Sequence, residues 1–379
     1  MKKIDSYCID ICIITTIHEP YDSRVIKQIN SLSKAGFSVM LIAPWENISE
    51  KIGCKFIYTK MPIKIHERII NAIRIFLLSL NVNSRCYLFH DIDFILFALV
   101  IKFIKQVPVI YDCRENYPEE IKEGKEWVPN LLRPILSYLA KLIENWAVRI
   151  FDAVITVVPY QISRFSKVGA KCIMLRNFAN RQIKPYLSHD RGILYIGSLS
   201  KNYGLDILLN IGRELKKRKS PFPLIIADRF GRDKKIRDKF IKIVEEEKLP
   251  VKIEPSVLPI EIDRLLTKGS VGLFVANNTK SKNIGLPMKL FEYMAAGMPI
   301  IASDLDMTRH IIEEAKCGIL VSPDDVKGYV DAATHIMSSL DIYNDLRKKG
   351  FEAIMKKYNW EEEASELIFY IRRLLKLVK

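Results

Sequence analysis

Several features that define other classes of protein are missing from this chain of 379 residues. No stretch reaches about 18 uninterrupted apolar residues, so we expect no transmembrane helix. The seven cysteines are odd in number and include no Cys-x-x-Cys pair, which argues against a disulfide framework or a zinc site and favours a reducing compartment. A solenoid repeat and a low-complexity tract are missing too. We therefore expect a globular, cytoplasmic protein.

A cleavable signal peptide is not expected either. The chain begins Met-Lys-Lys, but Asp5 and Asp10 interrupt the apolar run that follows, and no small-residue cleavage site comes after it. This segment is predicted to be the first strand.

The charge of the chain is one-sided. Its 59 Lys and Arg residues outnumber 44 Asp and Glu residues, which gives a net charge of +15. Such an excess favours anionic partners, namely nucleotides, nucleic acid or an acidic membrane surface, although it can also serve solubility alone. No recognition helix or aromatic-rich basic motif supports binding to DNA or RNA, so we expect no nucleic-acid partner.

Short apolar strands alternate with helical stretches along almost the whole chain. Near-continuous β-branched runs separated by helices are typical of parallel sheets covered on both faces. Asp22 or Ser23 can cap the first helix, and Gly36 ends it. The predicted strands lie at 9–15, 38–43, 87–90, 107–111, 153–158, 193–196 and 223–227, and near 251, 271, 299 and 318. We predict an α/β fold of two doubly wound, Rossmann-like domains.

A polar, turn-forming segment at 177–192 interrupts this alternation. We assign residues 1–184 to an N-terminal domain, 185–358 to a C-terminal domain, and 359–379 to a helix that packs back toward the first domain. Ligands of such sheets bind beyond the carboxyl ends of the strands, so motifs that follow strands carry most weight.

The strongest motif runs from Asn283 to Asp304, Asn-Ile-Gly-Leu-Pro-Met-Lys-Leu-Phe-Glu-Tyr-Met-Ala-Ala-Gly-Met-Pro-Ile-Ile-Ala-Ser-Asp. Gly285 allows a tight turn, and Pro287 suits the first position of a helix whose free amides can bind phosphate. Lys289 lies in the first helical turn, where the helix dipole disfavours a cation. An anionic ligand nearby would offset that effect.

Lys289 and Glu292 are three residues apart and share one helix face. An ion pair between them is one interpretation, but the order Lys before Glu opposes the helix dipole. Glu292 also lies between Phe291 and Tyr293 in an apolar helix, where its carboxylate can accept hydrogen bonds from the vicinal hydroxyls of a ribose. We favour the second interpretation and predict a nucleotide site.

With the segment from Gly285 to Asp304, and with Gly318-Ile-Leu-Val-Ser-Pro-Asp-Asp325, the chain resembles the GT-B-fold glycosyltransferases of family 4, which are retaining and use nucleotide sugars. The resemblance implies two Rossmann-like domains that face each other across a cleft, an acceptor in the first and a nucleoside diphosphate sugar in the second. Glu292 matches the glutamate that holds the donor ribose.

Other donor-binding positions follow from the same resemblance. The loop formed by Gly285, Leu286 and Pro287 meets the diphosphate and the sugar. A second glutamate usually stands where this chain has Ile284, but a subgroup with the pattern Leu-Pro-x-Lys-Leu-Phe-Glu-Tyr lacks that glutamate too. The usual diphosphate ligands Arg and Lys are replaced here, and the basic side chains nearby can supply the charge. The residues concerned are Ser198 and Tyr203 at the replaced positions, Lys201 and Lys289 as the cations, and Val257 as a further donor contact.

The candidate catalytic residues of the first domain follow two strands, in Tyr87–Asp93 and Val109–Pro118. These segments resemble a capsule and lipopolysaccharide subgroup, with Arg114 where a histidine is common. Arg114 can donate a hydrogen bond but cannot act as a base, which fits a route in which the donor phosphate takes the acceptor proton. His90, Asp91 and Glu115 are further catalytic candidates, and local pairing or helix capping is the alternative for all four.

The segment after the first strand resembles the family loop that borders the acceptor, which makes His18, Asp22 and Arg24 candidate acceptor contacts. Two Asp-x-Asp pairs, Asp91-Ile-Asp93 and Asp304-Leu-Asp306, are better explained as helix starts than as metal ligands. We expect no bound metal and no required cofactor.

Two basic amphipathic segments, 65–80 and 131–148, can lie on anionic lipid or can be ordinary core-facing helices. We predict peripheral attachment to the inner face of the plasma membrane. The predicted activity is sugar transfer from a nucleoside diphosphate to a glycan or polyprenyl-diphosphate-linked acceptor in the assembly of capsule, lipopolysaccharide or exopolysaccharide. A non-catalytic sugar-nucleotide sensor or partner subunit is the main alternative.

Overall fold

The structure is a computed structural model that describes residues 9–18, 22–45, 53–124, 129–181, 189–197, 199, 204–228, 234–255 and 261–377. The chain divides into two compact units. Unit 1 comprises Met1–Asn177 and Glu361–Lys379, and unit 2 comprises Phe178–Trp360. The domain boundary predicted between residues 184 and 185 lies outside the described residues.

Unit 1 is built on a seven-stranded sheet in the order β3-β2-β1-β4-β5-β6-β7 within its described residues, and every strand pair is parallel. Its strands are β1 Ile11–Ile14, β2 Val39–Ala43, β3 Lys55–Tyr58, β4 Tyr87–Phe89, β5 Val109–Cys113, β6 Ala153–Thr156 and β7 Cys172–Met174. Its helices are α1 Ser23–Lys34, α2 Ile65–Leu80, α3 Ile95–Lys105, α4 Tyr117–Gly124, α5 Arg133–Ala147 and α6 Pro159–Ser166.

Unit 2 repeats the pattern with a six-stranded parallel sheet in the order β10-β9-β8-β11-β12-β13 within its described residues. Its strands are β8 Ile193–Gly197, β9 Leu224–Asp228, β10 Val251–Glu254, β11 Val271–Phe274, β12 Ile300–Ser303 and β13 Gly318–Val321. Its helices are α7 Leu205–Lys217, α8 Lys234–Glu246, α9 Ile262–Leu266, α10 Lys280–Ile284, α11 Met288–Ala295, α12 Asp306–Ala315, α13 Val326–Ser338 and α14 Leu340–Lys356.

The predicted fold class, two doubly wound α/β sheets, is confirmed. The last helix, α15 Trp360–Leu374, runs into unit 1 as expected. There the hydroxyl of Tyr370 donates to the carbonyl of Asp152 at 2.9 Å, and Glu363 accepts from the guanidinium of Arg176 at 2.6 Å. Within the described residues, no helix is both long enough and apolar enough to cross a bilayer.

Two strands were not predicted, β3 and β7, and they form the two edges of the unit 1 sheet. Both are short and only partly buried, so their sequences lack the continuous apolar run that identifies the central strands. A further correction concerns Pro287, which is the N-cap of α11 rather than its first helical residue.

Each sheet reverses its strand order once, between β1 and β4 in unit 1 and between β8 and β11 in unit 2. At such a point the following helices leave toward opposite faces, and a crevice opens at the carboxyl ends of the two strands. The reversal therefore marks one potential ligand site in each unit.

A buried tyrosine fastens α11 to this reversal point in unit 2. The hydroxyl of Tyr293 accepts from the amide of Ile196 at 3.0 Å and lies 3.2 Å from the carbonyl oxygens of Leu194 and Leu273. Its ring packs where Gly272 has no side chain, since a Cβ on Gly272 would lie 2.4 Å from the ring. The glycine in β11 thus makes room for the tyrosine of α11.

We expect the substitution Gly272→Ala to destabilise unit 2 by about 1–3 kcal/mol, because the added methyl group forces the Tyr293 ring out of a close-packed site. Chemical denaturation followed by far-UV circular dichroism measures the effect. Gly53→Ala is the control, since a Cβ there meets no atom within 4 Å. Equal stability of the two variants would contradict the packing argument.

Candidate functional site

Helix α11 carries the two strongest candidate side chains of unit 2 and packs against the central strands β8 and β11. The helix ends in a Schellman arrangement, in which the amide of Met298 donates to the carbonyl of Tyr293 at 2.9 Å and that of Gly297 to Met294 at 3.0 Å. Gly297 adopts the left-handed conformation, with φ +67°, as its predicted role at the helix end requires. The carboxyl end of this eight-residue helix is therefore fixed.

Lys289 extends from the first turn of α11 toward the carboxyl end of β8. Its ammonium group lies 4.7 Å from the centre of the Tyr195 ring and 6.0 Å from that of Phe274. It also lies against Gly197, where a Cβ would be only 2.0 Å from the Lys289 nitrogen. Two aromatic rings and a glycine thus hold a positive charge at the reversal point between β8 and β11.

Glu292 is 8 % exposed and lies one turn further along α11. Burial raises the pKa of Asp263 in α9, and the nearby carboxylate of Glu292 raises it further. Glu292 is therefore close to α9, whereas Lys289 packs against residues of β8 and β11. Lys289 and Glu292, which the sequence predicts to have separate roles, thus lie near different elements of unit 2.

The remaining donor-binding residues are placed only in part. Ile284 is the last residue of α10, and Gly285 and Leu286 follow it before α11. All three are half-buried, and Leu286 packs against the hydrophobic core. Pro287, which follows them, is buried. Four residues singled out from the sequence lie outside the described part of the chain, namely Ser198, Lys201, Tyr203 and Val257.

In unit 1 the candidate residues gather at the carboxyl ends of β1, β4 and β5. Asp91 is fully buried, and one of its oxygens accepts from the amide of Thr16 at 2.6 Å and from the hydroxyl of Thr15 at 2.8 Å. Its other oxygen lies 3.2 Å from Nε2 of His18. Burial raises the pKa of Asp91, but His18 and the Thr16 amide outweigh burial and hold that pKa below its ordinary value.

A second carboxylate extends this network. Asp22 caps α1 by accepting from the amides of Arg24 and Val25, and its other oxygen accepts from Arg114 at 3.0 Å. His18 lies 3.8 Å from the same oxygen. Burial raises the pKa of Asp22, but the charges of Arg114 and His18 more than offset this and lower it. The structure thus joins His18, Asp22, Asp91 and Arg114, which are far apart in the sequence, in one network.

Arg24, the third predicted acceptor contact, is buried beneath these residues. Its guanidinium is 1 % exposed and donates to both oxygens of Asp112, at 2.8 Å each, and to the carbonyl of Leu175 at 2.8 Å. Gln28 donates to the same carboxylate at 2.7 Å. All three guanidinium nitrogens of Arg24 thus donate hydrogen bonds within the protein, and the side chain supports the network.

His90 is fully buried, with Nδ1 3.3 Å from a carboxylate oxygen of Asp112. Burial lowers the pKa of His90 to about 4, although the negative charge of Asp112 opposes this shift. The imidazole is therefore neutral near pH 7. Neither ring nitrogen has a hydrogen-bond partner among the described residues, so the imidazole keeps its capacity to donate and to accept one.

Glu115, the fourth catalytic candidate, is exposed just after β5. The aspartates of the two Asp-x-Asp pairs have other partners: Asp93 accepts from Arg68 at 3.1 Å, and Asp304 forms a two-point contact with Arg309 at 2.8 Å. Within the described residues, no three His, Cys, Asp or Glu side chains are grouped to hold a metal ion.

Asp112 is the residue of this network that the sequence analysis did not single out. It binds Arg24 and Gln28 and lies next to His90, so it fixes three side chains at once. The available signal was its position inside the apolar strand Val-Ile-Tyr-Asp-Cys, since a buried carboxylate requires charged or hydrogen-bonding partners.

The geometry of unit 2 agrees with a match to a known family. The profile "Glycosyl transferases group 1" matches residues 178–353, which include α11 with Lys289 and Glu292. The second unit is a group 1 glycosyl transferase domain. This assignment confirms the family resemblance drawn from the segment between Gly285 and Asp304.

Curated relatives match about half of the chain at low identity. The chain is 23 % identical over 188 residues, 49 % of its own length and 48 % of the relative's, to the phosphatidyl-myo-inositol mannosyltransferase of Mycobacterium leprae. It is 26 % identical over 179 residues, 47 % and 46 % of the two lengths, to the GDP-mannose:cellobiosyl-diphosphopolyprenol alpha-mannosyltransferase of Xanthomonas oryzae. The chain thus matches about half the length of these relatives.

Solved structures are similar over nearly the whole chain. Sucrose-phosphate synthase from Thermosynechococcus elongatus has a TM-score of 0.74 and 15 % identity, covering 97 % of this chain and 100 % of the other. HepE from Anabaena in complex with UDP-glucose has a TM-score of 0.72 and 11 % identity, covering 98 % and 100 %. At these identities the similarity shows a shared fold.

The depressed pKa of His90 predicts a pH dependence of stability. Between about pH 4 and 6.5 the unfolded chain binds a proton that the folded chain excludes, so stability falls as the pH drops through this range. The loss approaches about 3 kcal/mol at the acid end. Denaturation of the wild type and of His90→Gln between pH 4.5 and 7 measures it.

The His90→Gln variant is expected to show a shallower slope, because it removes the titrating group. His310→Gln, at an exposed histidine of α12, is the control and keeps the wild-type slope. Parallel pH profiles of stability for His90→Gln and the wild type would contradict the lowered pKa of His90 in the folded protein.

Proposed function

We propose that this protein transfers a sugar from a nucleoside diphosphate sugar to a glycan or lipid-linked acceptor, with retention of the anomeric configuration. The observation that carries this proposal is the pair Lys289 and Glu292 on α11, beside the β8–β11 reversal point of a group 1 glycosyl transferase domain. A cation and a buried carboxylate on one short helix suit the diphosphate and the ribose of one ligand.

The positive charge of Lys289 has a chemical purpose in this reaction. As the bond between the anomeric carbon and the diphosphate oxygen breaks, negative charge grows on the departing diphosphate. A fixed cation at that position stabilises the transition state, and such electrostatic stabilisation is commonly the largest single contribution to catalysis. Glu292 binds the ribose hydroxyls and holds the donor in place.

The polar network of unit 1 suits an acceptor hydroxyl. His90 is neutral and retains an unpaired nitrogen, and Arg114 donates but cannot accept a proton. We infer that the acceptor oxygen bonds to the anomeric carbon while its proton passes to the departing donor phosphate. The network then orients the acceptor and does not supply the base.

Several finer assignments belong to this proposal. The relatives named for phosphatidyl-myo-inositol and for cellobiosyl-diphosphopolyprenol support a lipid-linked acceptor, and the name of the second includes GDP-mannose. We extend this to cell-surface polysaccharide assembly at the cytoplasmic face of the membrane. No metal or other cofactor is assigned a step.

A sugar-nucleotide sensor without transferase activity is the second candidate. It is favoured by Ile284 where the family usually has a glutamate, and by Ser198 and Tyr203 at the positions of the usual basic diphosphate ligands. A sensor would bind the donor through Glu292 in the same way, so binding and turnover must be measured separately.

Donor binding tests the site. We expect Glu292→Ala to weaken binding of the cognate donor, found in a panel of UDP-, GDP- and ADP-sugars, by about 10- to 100-fold, because charged hydrogen bonds to the ribose are lost. Calorimetry and donor hydrolysis are the measurements. Glu352→Gln, at an exposed glutamate of α14, is the control. Unchanged binding in Glu292→Ala would exclude this site, and binding without hydrolysis or transfer would favour the sensor.

A second variant separates the position of the Lys289 charge from its presence. Gly197→Ala adds a methyl group 2.0 Å from the Lys289 nitrogen, which displaces the flexible ammonium without removing it. We expect a loss in turnover comparable to that of Lys289→Gln, on the order of tenfold or more, with the fold retained. Wild-type turnover in Gly197→Ala would show that the observed position of the ammonium is unimportant.

A further inference from the structure

Unit 1 carries an unusual amount of exposed apolar surface on three helices, α2, α3 and α5. Fourteen large apolar side chains on these helices are exposed, whereas the described residues of unit 2 contain two, Leu340 and Met355. The fourteen, here called the three-helix face, are Ile69, Ile70, Ile73, Leu77, Leu96, Val100, Phe103, Ile104, Ile135, Tyr138, Leu139, Leu142, Ile143 and Trp146.

The three-helix face is one surface because its helices are neighbours. Helix α3 contacts both α2 and α5. The rings of Phe76 in α2 and Phe97 in α3 stack with their centres 5.1 Å apart. Large contiguous apolar surfaces are rare on monomeric soluble proteins and mark interaction sites.

Helix α3 is the part of this surface that the sequence did not reveal. The segments 65–80 and 131–148 were recognised separately as basic amphipathic helices, but α3 lies between them and contributes Phe103, which is 65 % exposed, and Ile104, which is 60 % exposed. Two candidate segments are thereby joined in a single face.

The exposed charged side chains on the three helices have one sign. Arg74 is exposed on α2 and Lys141 on α5. The acidic residues of the three helices are engaged within the protein. Glu67 accepts from the amides of Ile63 and Lys64, and buried Glu144 accepts from Tyr111 and Arg164. Such a surface is complementary to a negatively charged apolar partner.

We propose that the three-helix face binds the interfacial region of an anionic phospholipid bilayer, with its apolar side chains among the acyl chains and its basic side chains at the head groups. Tyr138 and Trp146 are the amphipathic aromatic types that favour this depth. A second copy of this chain is a poorer occupant, because a symmetric contact would bring the basic groups of both copies together.

This inference goes beyond the proposed sugar transfer and stands without it. The transferase requires a nucleotide sugar and an acceptor, whereas bilayer binding requires only the surface of unit 1. A chain that binds vesicles but transfers no sugar would support the surface and reject the activity.

The test is co-sedimentation of the full chain with vesicles of phosphatidylglycerol and phosphatidylcholine in equal parts, and with vesicles of phosphatidylcholine alone. We expect strong binding to the anionic vesicles that weakens as salt is raised. The double variant Phe103→Glu with Ile104→Glu is expected to bind at least about tenfold more weakly, because it places charge where apolar contact is needed.

Two controls accompany this variant. Leu340→Glu makes the same kind of change at an exposed leucine of unit 2 and is expected to bind like the wild type. Arg74→Gln with Lys141→Gln is expected to weaken binding to anionic vesicles and to leave phosphatidylcholine binding unchanged. Thermal unfolding of each variant checks that the fold is retained. Because all the substituted side chains are exposed, we expect unfolding temperatures close to that of the wild type.

Three results would overturn the proposal. The first is failure of the wild type to bind anionic vesicles at low salt. The second is an equal loss of binding in Leu340→Glu and in the α3 variant. The third is a wild-type protein that does not bind vesicles but forms a dimer in sedimentation equilibrium, while the α3 variant is a monomer. That result would identify a second copy of the chain as the partner.

Discussion

The hydroxyl of Tyr293 ties helix α11 to the backbone of strands β8 and β11, where the strand order of unit 2 reverses. Because both the ring and the hydroxyl are fully buried, the helix has little freedom to rotate. Lys289 and Glu292 lie on that helix, so their positions depend on this contact. The packing of one aromatic residue against Gly272 therefore sets the geometry of the candidate donor site.

In unit 1 the candidate residues are held in place by a buried carboxylate, whereas in unit 2 they are held by an aromatic side chain. Asp112, in strand β5 beside β4, binds Arg24 and Gln28 and lies next to His90. A buried carboxylate is costly unless it is paired, and here a two-point guanidinium contact supplies the pairing. These contacts hold the neutral imidazole of His90 in place at the carboxyl end of β4.

Local sequence patterns were sufficient for most of the elements. Buried central strands gave continuous apolar runs, and caps such as Asp22 and Gly297 marked helix ends, because both signals lie within a few residues. The edge strands β3 and β7 gave no such signal, since an edge strand is buried on fewer sides. The residue types at Lys289 and Glu292 likewise pointed to a ligand before any contact was known.

The sequence alone determined the class of the fold, the family of the second domain and the helix that carries its candidate site, because hydrophobic period and motif spacing are local properties. The tertiary structure decided which distant residues meet. Arg24 and Asp112 are 88 positions apart, and the exposed faces of α2, α3 and α5 become one surface only through the order of the strands. Chain topology sets such contacts, and topology is not visible in any short segment.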